Sequence, residues 1–130
     1  MVVDTSALLA IFLNEPERNR FLDLILNSGT RLISAASVLE SGIVLESKRG
    51  EVAGREFDLF VIRAALEIVP VDGEQVETAR SAWRAFGKGR HPAALNFGDC
   101  FTYALARTLG EPVLAKGRDF ALTDVKLVST

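Results

Sequence analysis

Every strand-like run in this chain is short, at most four residues, and helical segments lie between successive runs. The candidate strands are Met1-Val2-Val3, Arg31-Leu32-Ile33-Ser34, Ile68-Val69-Pro70-Val71, Pro112-Val113-Leu114-Ala115 and Val125-Lys126-Leu127-Val128. Apolar spacing predicts helices over Ala7 to Leu13, Glu17 to Asn27, Ser37 to Lys48, Ala53 to Glu67, Gly73 to Phe86 and Phe97 to Leu109, with a turn and short helix at Lys116 to Phe120. Short strands alternating with helices favour parallel pairing through right-handed crossovers. The expected fold is therefore α/β: three layers, α/β/α, around a short, mostly parallel central sheet. Pro70 lacks the backbone donor that a central strand needs, so the third strand is expected at an edge, or to end there.

At 130 residues the chain fits one domain over residues 1–130. No apolar run approaches the roughly 18 residues of a membrane span, so no membrane partner is expected. The 48% hydrophobic share and mean hydropathy of +0.22 are high all the same. Leu8, Leu9, Ile11, Phe12, Leu13, Phe21, Leu24, Ile25, Phe57, Leu59 and Phe60 look too many for the core, and part of this set is expected to form a protein-binding face. One cysteine, Cys100, excludes an internal disulfide and a multi-cysteine zinc site, and its neighbours suggest a small buried residue. The start lacks the flanks of a signal peptide, which points to the cytoplasm. A net charge of −2 gives no global attraction to nucleic acid, so an RNA partner needs a local basic patch or metal ions.

Four acids are predicted to share one position type. Asp4 follows the first strand, Glu40 lies in the first turn of the helix after the second, Asp99 opens a helix, and Asp119 follows the fourth strand. The carboxyl ends of parallel strands form the edge where ligands bind in such sheets. Four carboxylates within a few ångströms repel unless a hard cation neutralises them, and Mg2+ or Mn2+ is the ion that an oxygen-only set selects. Such an ion suits water activation and phosphodiester hydrolysis. Each acid also has a purely structural role open to it. Ser37-Val38-Leu39-Glu40 fits a capping box, Asn96-Phe97-Gly98-Asp99 resembles one, Asp4 can cap the first helix, and Asp119 can be a solvated turn residue.

Taken together, these segments resemble a PIN-domain protein, specifically a VapC-type toxin of a toxin-antitoxin pair, over nearly the whole chain. The resemblance rests on Met1-Val2-Val3-Asp4-Thr5-Ser6-Ala7-Leu8, Ala36-Ser37-Val38-Leu39-Glu40, Gly87-Lys88-Gly89-Arg90-His91 leading to Leu95-Asn96-Phe97-Gly98-Asp99-Cys100-Phe101, and Lys116-Gly117-Arg118-Asp119-Phe120 with Thr123-Asp124. It implies a Mg2+- or Mn2+-dependent endoribonuclease with Asp4, Glu40 and Asp99 as core acids and Asp119 as the fourth. It also implies a cognate antitoxin that blocks the acidic pocket, and a toxin homodimer within a larger toxin-antitoxin assembly. One departure concerns the fourth ligand: relatives place two consecutive acids before the phenylalanine, where this chain has Arg118-Asp119-Phe120. Asp124 competes with Asp119 for that corner.

Supporting roles follow from the same placement. The hydroxyl of Thr5 or Ser6 can orient Asp4 or a metal-bound water, or simply cap the helix. Lys88, Arg90 and His91, on a glycine-rich loop, and Arg118 beside Asp119, are candidates for RNA phosphate contacts, with solvated-loop roles equally open. Two other enzyme classes and one non-enzyme class are weighed against this. A haloacid-dehalogenase-like phosphatase needs a second aspartate two residues after the first, where Ser6 stands. A receiver-type phosphotransfer domain would have to use Asp72 and Lys116, without the paired acids near its first strand. A catalytically inactive PIN-fold binding module is disfavoured because the three core acids are all present.

Overall fold

The first strand of this chain is only two residues long and is paired by a neighbour on each side. The computed structural model describes residues 1–129. Its elements run β1 (Val2–Val3), α1 (Thr5–Phe12), α2 (Arg18–Leu26), β2 (Leu32–Ser34), α3 (Ala35–Arg49), α4 (Glu51–Arg63), β3 (Glu67–Val69), α5 (Gly73–Phe86), α6 (Phe97–Leu109) and β4 (Val113–Leu114), with a 3-10 helix at Phe120–Leu122. The strands form one parallel sheet in the order β3-β2-β1-β4. Side-chain alternation divides the core into two layers. Val3, Ile33 and Leu114 pack with α1, α2, α4 and Leu45 of α3, whereas Val2, Leu32 and Val113 pack with α5 and α6. The expected three-layer α/β fold with a parallel sheet is the observed one.

The helix boundaries differ from the sequence expectation where local bonds decide them. Asp4 is the N-cap of α1, so that helix begins at Thr5, two residues earlier than expected. Ser34 caps α3, which puts Ser37 inside the helix instead of at its start. Between α3 and α4 stands only Gly50, at φ 85°, a conformation that glycine adopts without a Cβ penalty. The expected helix to Glu67 stops at Arg63: Ala65 turns left-handed at φ 53°, and the Arg31 guanidinium donates to the Ala64 carbonyl at 2.8 Å. The same guanidinium donates to the Leu26 carbonyl at 2.9 Å, tying the ends of α2 and α4 together beside β2.

Glu67 thus enters β3, which lies at the sheet edge, and Pro70 follows the end of that strand. The expected last strand over Val125 to Val128 contributes one parallel bridge, Val113 to Leu127, outside β4.

The apolar surplus was misplaced. Of the eleven residues expected to overfill the core, only Leu59 is an exposed one, because α4 stacks beneath α1 and α2 and gives their apolar faces a second wall. Phe12 meets Phe57 and Phe60 edge-on at 5.7 and 5.4 Å between ring centroids. The exposed large apolar residues stand elsewhere, including Leu39 and Ile43 on α3, Trp83 on α5 and Phe97 on α6.

Phe57 is 1% exposed in the wall shared by α1, α2 and α4. Phe57→Ala is expected to cost about 3–5 kcal/mol of unfolding free energy, measured by urea denaturation. A loss below about 1 kcal/mol would mean that this wall collapses around the vacancy.

Candidate active site

The acids are built into the carboxyl edge of the sheet by local capping. Asp4 leaves β1 in extended conformation and is 3% exposed. Its Oδ2 accepts the Ser6 N–H at 3.0 Å, and its Oδ1 accepts the Thr102 hydroxyl of α6 at 2.6 Å. An anion this buried needs such donors to offset lost hydration. Asp4 therefore both caps a helix and faces α6 with the same carboxylate. Thr5 and Ser6 are not the cap. The Ser6 hydroxyl accepts the Lys116 N–H at 2.9 Å, joining α1 to the loop that carries Asp119. Thr5 Oγ1 is buried next to Asp4 without a hydrogen-bond partner among the described residues.

Asp99 closes a capping box with Asn96. Its Oδ2 accepts the Asn96 N–H at 3.0 Å while the Asn96 Oδ1 accepts the Asp99 N–H at 2.9 Å. Glu40 is no cap. With α3 starting at Ala35, it lies in the second turn, and the expected Ser37–Glu40 capping box does not form. Its carboxylate instead rests on the first turn of α6: a Cβ at Gly98 would lie 2.4 Å from Glu40 Oε2 and 2.7 Å from Oε1.

Charge shows which acids act on one another. Burial is the main force pushing the Asp99 carboxyl up from 3.8 to about 6; the Asn96 N–H opposes the rise, and Asp4, Asp119 and Glu40 each add to it by repulsion. All four expected acids thus share one electrostatic field. They are not drawn together as closely as expected: among the described residues no three Asp, Glu, His or Cys side chains form a ready-made metal cage. Each carboxylate is held by its own local contacts, and mutual repulsion opposes closer approach. The donor set fits Mg2+ or Mn2+ all the same, being oxygen throughout. A cation would relieve the repulsion at Asp99, and the unpaired Thr5 hydroxyl is a polar group free to hold a metal-bound water.

The remaining candidates are exposed or engaged by other partners. Asp124 accepts the Tyr103 hydroxyl and lies 3.9 Å from the Arg107 guanidinium. Tyr103 is pushed up to about 12, by burial first and then by Asp124. Arg90 stacks on Trp83 at 4.6 Å and donates to the Arg84 carbonyl, and His91 Nδ1 accepts the Ala93 N–H with its ring against Phe86. Lys88 and Arg118 are exposed, and among the described residues no hydrogen bond or ion pair links these four basic residues to the acids. Cys100 is buried, and burial raises its thiol, as expected of an inert residue. Asp72 and Lys116 do not serve as a phosphotransfer pair. Asp72 caps α5 through the Gln75 N–H, and Lys116 is paired with Glu15 and Glu17.

A PIN domain model matches residues 1–126. The chain belongs to the PIN domain family. Within it stand the VapC ribonucleases: this chain is 51% identical over 128 residues to a ribonuclease VapC of Mycolicibacterium smegmatis, covering 98% of this chain and 99% of that one. It is 49% identical over 129 residues to ribonuclease VapC30 of Mycobacterium tuberculosis, covering 99% and 98%. Among solved structures, Mycobacterium tuberculosis VapC20, a sarcin-ricin loop cleaving toxin, superposes with a TM-score of 0.80 at 19% identity, over 99% of this chain and 98% of that one. VapBC2 from Rickettsia felis, bound to a DNA fragment from their promoter, gives 0.75 at 15% identity, over 98% and 96%. These two likenesses concern the PIN fold alone.

Two residues of this candidate site escaped the sequence reading. Gly98 is needed for the close approach of Glu40, and its signal was a glycine inside a helical first turn, where it is otherwise unfavourable. Thr102 holds Asp4, and its signal was a hydroxyl three residues after Asp99, on the same helix face.

Gly98→Ala is expected to separate stability from function. Helix propensity favours it by up to about 1 kcal/mol, and the flexible end of Glu40 can move aside, yet Glu40 then leaves its place. Calorimetry should show an unchanged or higher melting temperature, and Mn2+ titration a weaker affinity. Wild-type Mn2+ affinity in this variant would show that the Glu40 placement is unimportant.

The proton on Asp99 makes a second prediction. A raised folded value means that the folded protein keeps this proton where the unfolded chain has lost it, so the contribution to stability is complete below 3.8 and lost as pH rises through about 6. In chelator, the melting temperature of Asp99→Asn relative to wild type should therefore climb across that interval and level off above it. A difference independent of pH would refute the assignment.

Proposed function

We propose that this chain is the toxin of a toxin-antitoxin pair and acts in the cytoplasm as an endoribonuclease, hydrolysing RNA phosphodiesters at a pocket formed by Asp4, Glu40, Asp99 and Asp119. The observation that carries this reading is the field at Asp99, where a partly buried carboxyl is raised to about 6 with three other acids acting on it. A perturbed acid with named charge partners is a candidate for a functional site. Kinship near 50% identity with ribonucleases gives that chemistry its substrate class.

The pocket would hold Mg2+ or Mn2+ through Asp4, Asp99, Glu40 and Asp119. Such an ion supplies water activation and offsets charge on the phosphodiester. The chain's own residues prepare for it. Asp4 presents a carboxylate fixed at both oxygens, each with a lone pair to spare. Asp99 keeps its proton to a higher pH than an ordinary carboxyl, so acid conditions weaken cation binding there. Asp119 stands on an exposed loop, where a long substrate has access. Arg118 beside it, and Lys88, Arg90 and His91 on their loop, are the basic groups we assign to RNA phosphates.

The protein partners we assign are a cognate antitoxin and a second copy of the toxin, within a larger assembly. A ridge formed by Phe97 and Phe101 supports that assignment, with ring centroids 4.9 Å apart and Phe97 81% exposed. An apolar groove of about 750 Å³ runs along one side of it, against Val76 and Trp83. A second of about 420 Å³ runs along the other, against Leu39 and Ile43, and reaches Glu40. Exposed apolar surface of this continuity marks a protein interaction site.

Purified protein in Mg2+ or Mn2+ buffer tests the reading. Asp99→Asn and Asp119→Asn should each lose RNA cleavage by at least about a hundredfold while remaining folded, and Asp124→Asn should retain it. Full activity in Asp99→Asn would sink the mechanism, and loss confined to Asp124→Asn would move the fourth ligand to that residue.

A further inference from the structure

The acid-bearing elements are joined beneath the pocket by buried hydroxyls whose proton count fixes a direction. Thr102 is wholly buried and Ser37 is 2% exposed. Thr102 has one hydroxyl proton, and its 2.6 Å bond to Asp4 Oδ1 uses it, because a carboxylate can only accept. Ser37 Oγ lies 3.5 Å from Thr102 Oγ1, a long contact for a hydroxyl pair, and with the Thr102 proton committed to Asp4 it is Ser37 that is left to donate across it. Donation therefore runs from Ser37 to Thr102 to Asp4, shortest where the acceptor is charged.

The chain of hydroxyls follows the acids turn for turn. Ser37 is three residues before Glu40 on α3, and Thr102 is three residues after Asp99 on α6. Residues three apart share a helix face, so each hydroxyl lies one turn from an acid of the pocket. Within the core the two hydroxyls fall where α3 and α6 meet Asp4, the residue that leads from β1 into α1.

We propose that Thr102 is the positioning residue for Asp4, and that with Ser37 it forms a hydroxyl relay setting the spacing of the acid-bearing elements. The relay turns Asp4 Oδ1 and holds α3 and α6 at one separation, and so prepares Asp4, Glu40 and Asp99 as a set. This rests on the metal-nuclease reading for its functional consequence, and on hydrogen-bond geometry alone for its existence.

Proton NMR of the metal-free protein tests the geometry. The Thr102 hydroxyl proton is expected as a slowly exchanging downfield resonance, absent in Thr102→Val, present in Thr102→Ser, and shifted upfield in Ser37→Ala. A hydroxyl proton exchanging freely with solvent overturns the relay. Mn2+ titration and steady-state kinetics then test its role. Thr102→Val should bind Mn2+ about tenfold more weakly and lose kcat with little change in KM for RNA, whereas Thr102→Ser should restore both. Ser37→Ala should cause a smaller loss, and none when added to Thr102→Val, because it acts through that hydroxyl. Losses that multiply, or wild-type Mn2+ affinity in Thr102→Val, overturn the positioning role. Should Thr102→Val not fold, the Ser37→Ala resonance shift and its Mn2+ affinity decide the same question. A wild type with the protected proton that neither binds Mn2+ nor cuts RNA supports the relay and overturns the nuclease reading, so the two failures are distinct.

Discussion

A nearly buried anion at the end of the central strand is the constraint on which the rest of this structure depends. Asp4 is 3% exposed, and an ion so placed is tolerable only with donors on its oxygens. One donor comes from the next turn of its own helix, the Ser6 N–H, and the other from Thr102, ninety-eight positions along the chain. The second requires α6 to cross the carboxyl edge beside β1. That crossing brings the first turn of α6, and Asp99 with it, to the same edge. The parallel order β3-β2-β1-β4 completes the arrangement, since the segments following β1, β2 and β4 all leave from that edge.

The layering of the fold was legible because the strands alternate cleanly between two helical layers, and because no run of apolar residues competes with that pattern. The errors have one physical source, namely competition between equivalent local signals. Ser34 and Ser37 are both good helix caps. Pairing of β2 with β3 runs through Ser34, which holds that residue extended, so it takes the cap and pushes Ser37 into the core. Leu66 and Glu67 continued a helical pattern, but Arg31 captured the Ala64 carbonyl and the chain turned. Neither outcome is visible from spacing, because each is decided by a residue more than thirty positions away or by the partner strand. The apolar surplus failed similarly: α4 supplies a wall that no count of residues predicts.

At the candidate site, a structural role does not remove an acid from the shared field. Asp4 and Asp99 cap their helices and face the shared field with the same carboxylates. A cap fixes a side chain at the positive end of a helix, where a negative charge is favoured. Glu40 differs in having no cap, and its position depends on Gly98, a residue whose contribution is an absence of atoms. Asp119 and Asp124 could not be told apart in the sequence because both follow β4 within a few residues. Asp124 is engaged by Tyr103 and Arg107 while Asp119 acts on Asp99, a difference in surroundings that only folding creates.

The helix end that carries Asp99 also carries the most exposed aromatic residue among those described. Phe97 opens α6 two residues before Asp99, and the groove beside it is lined by both Ile43 and Glu40. Burying a phenylalanine of this kind is worth about 2–3 kcal/mol, which makes it an anchor for any protein that covers this face. A partner anchored there lies within one helical turn of Asp99 and against the Glu40 groove, where a basic side chain would meet the uncompensated charge of the pocket. Apolar anchoring and charge neutralisation then reinforce one another at one short segment. Any protein that covered this face would therefore also approach Glu40 and Asp99.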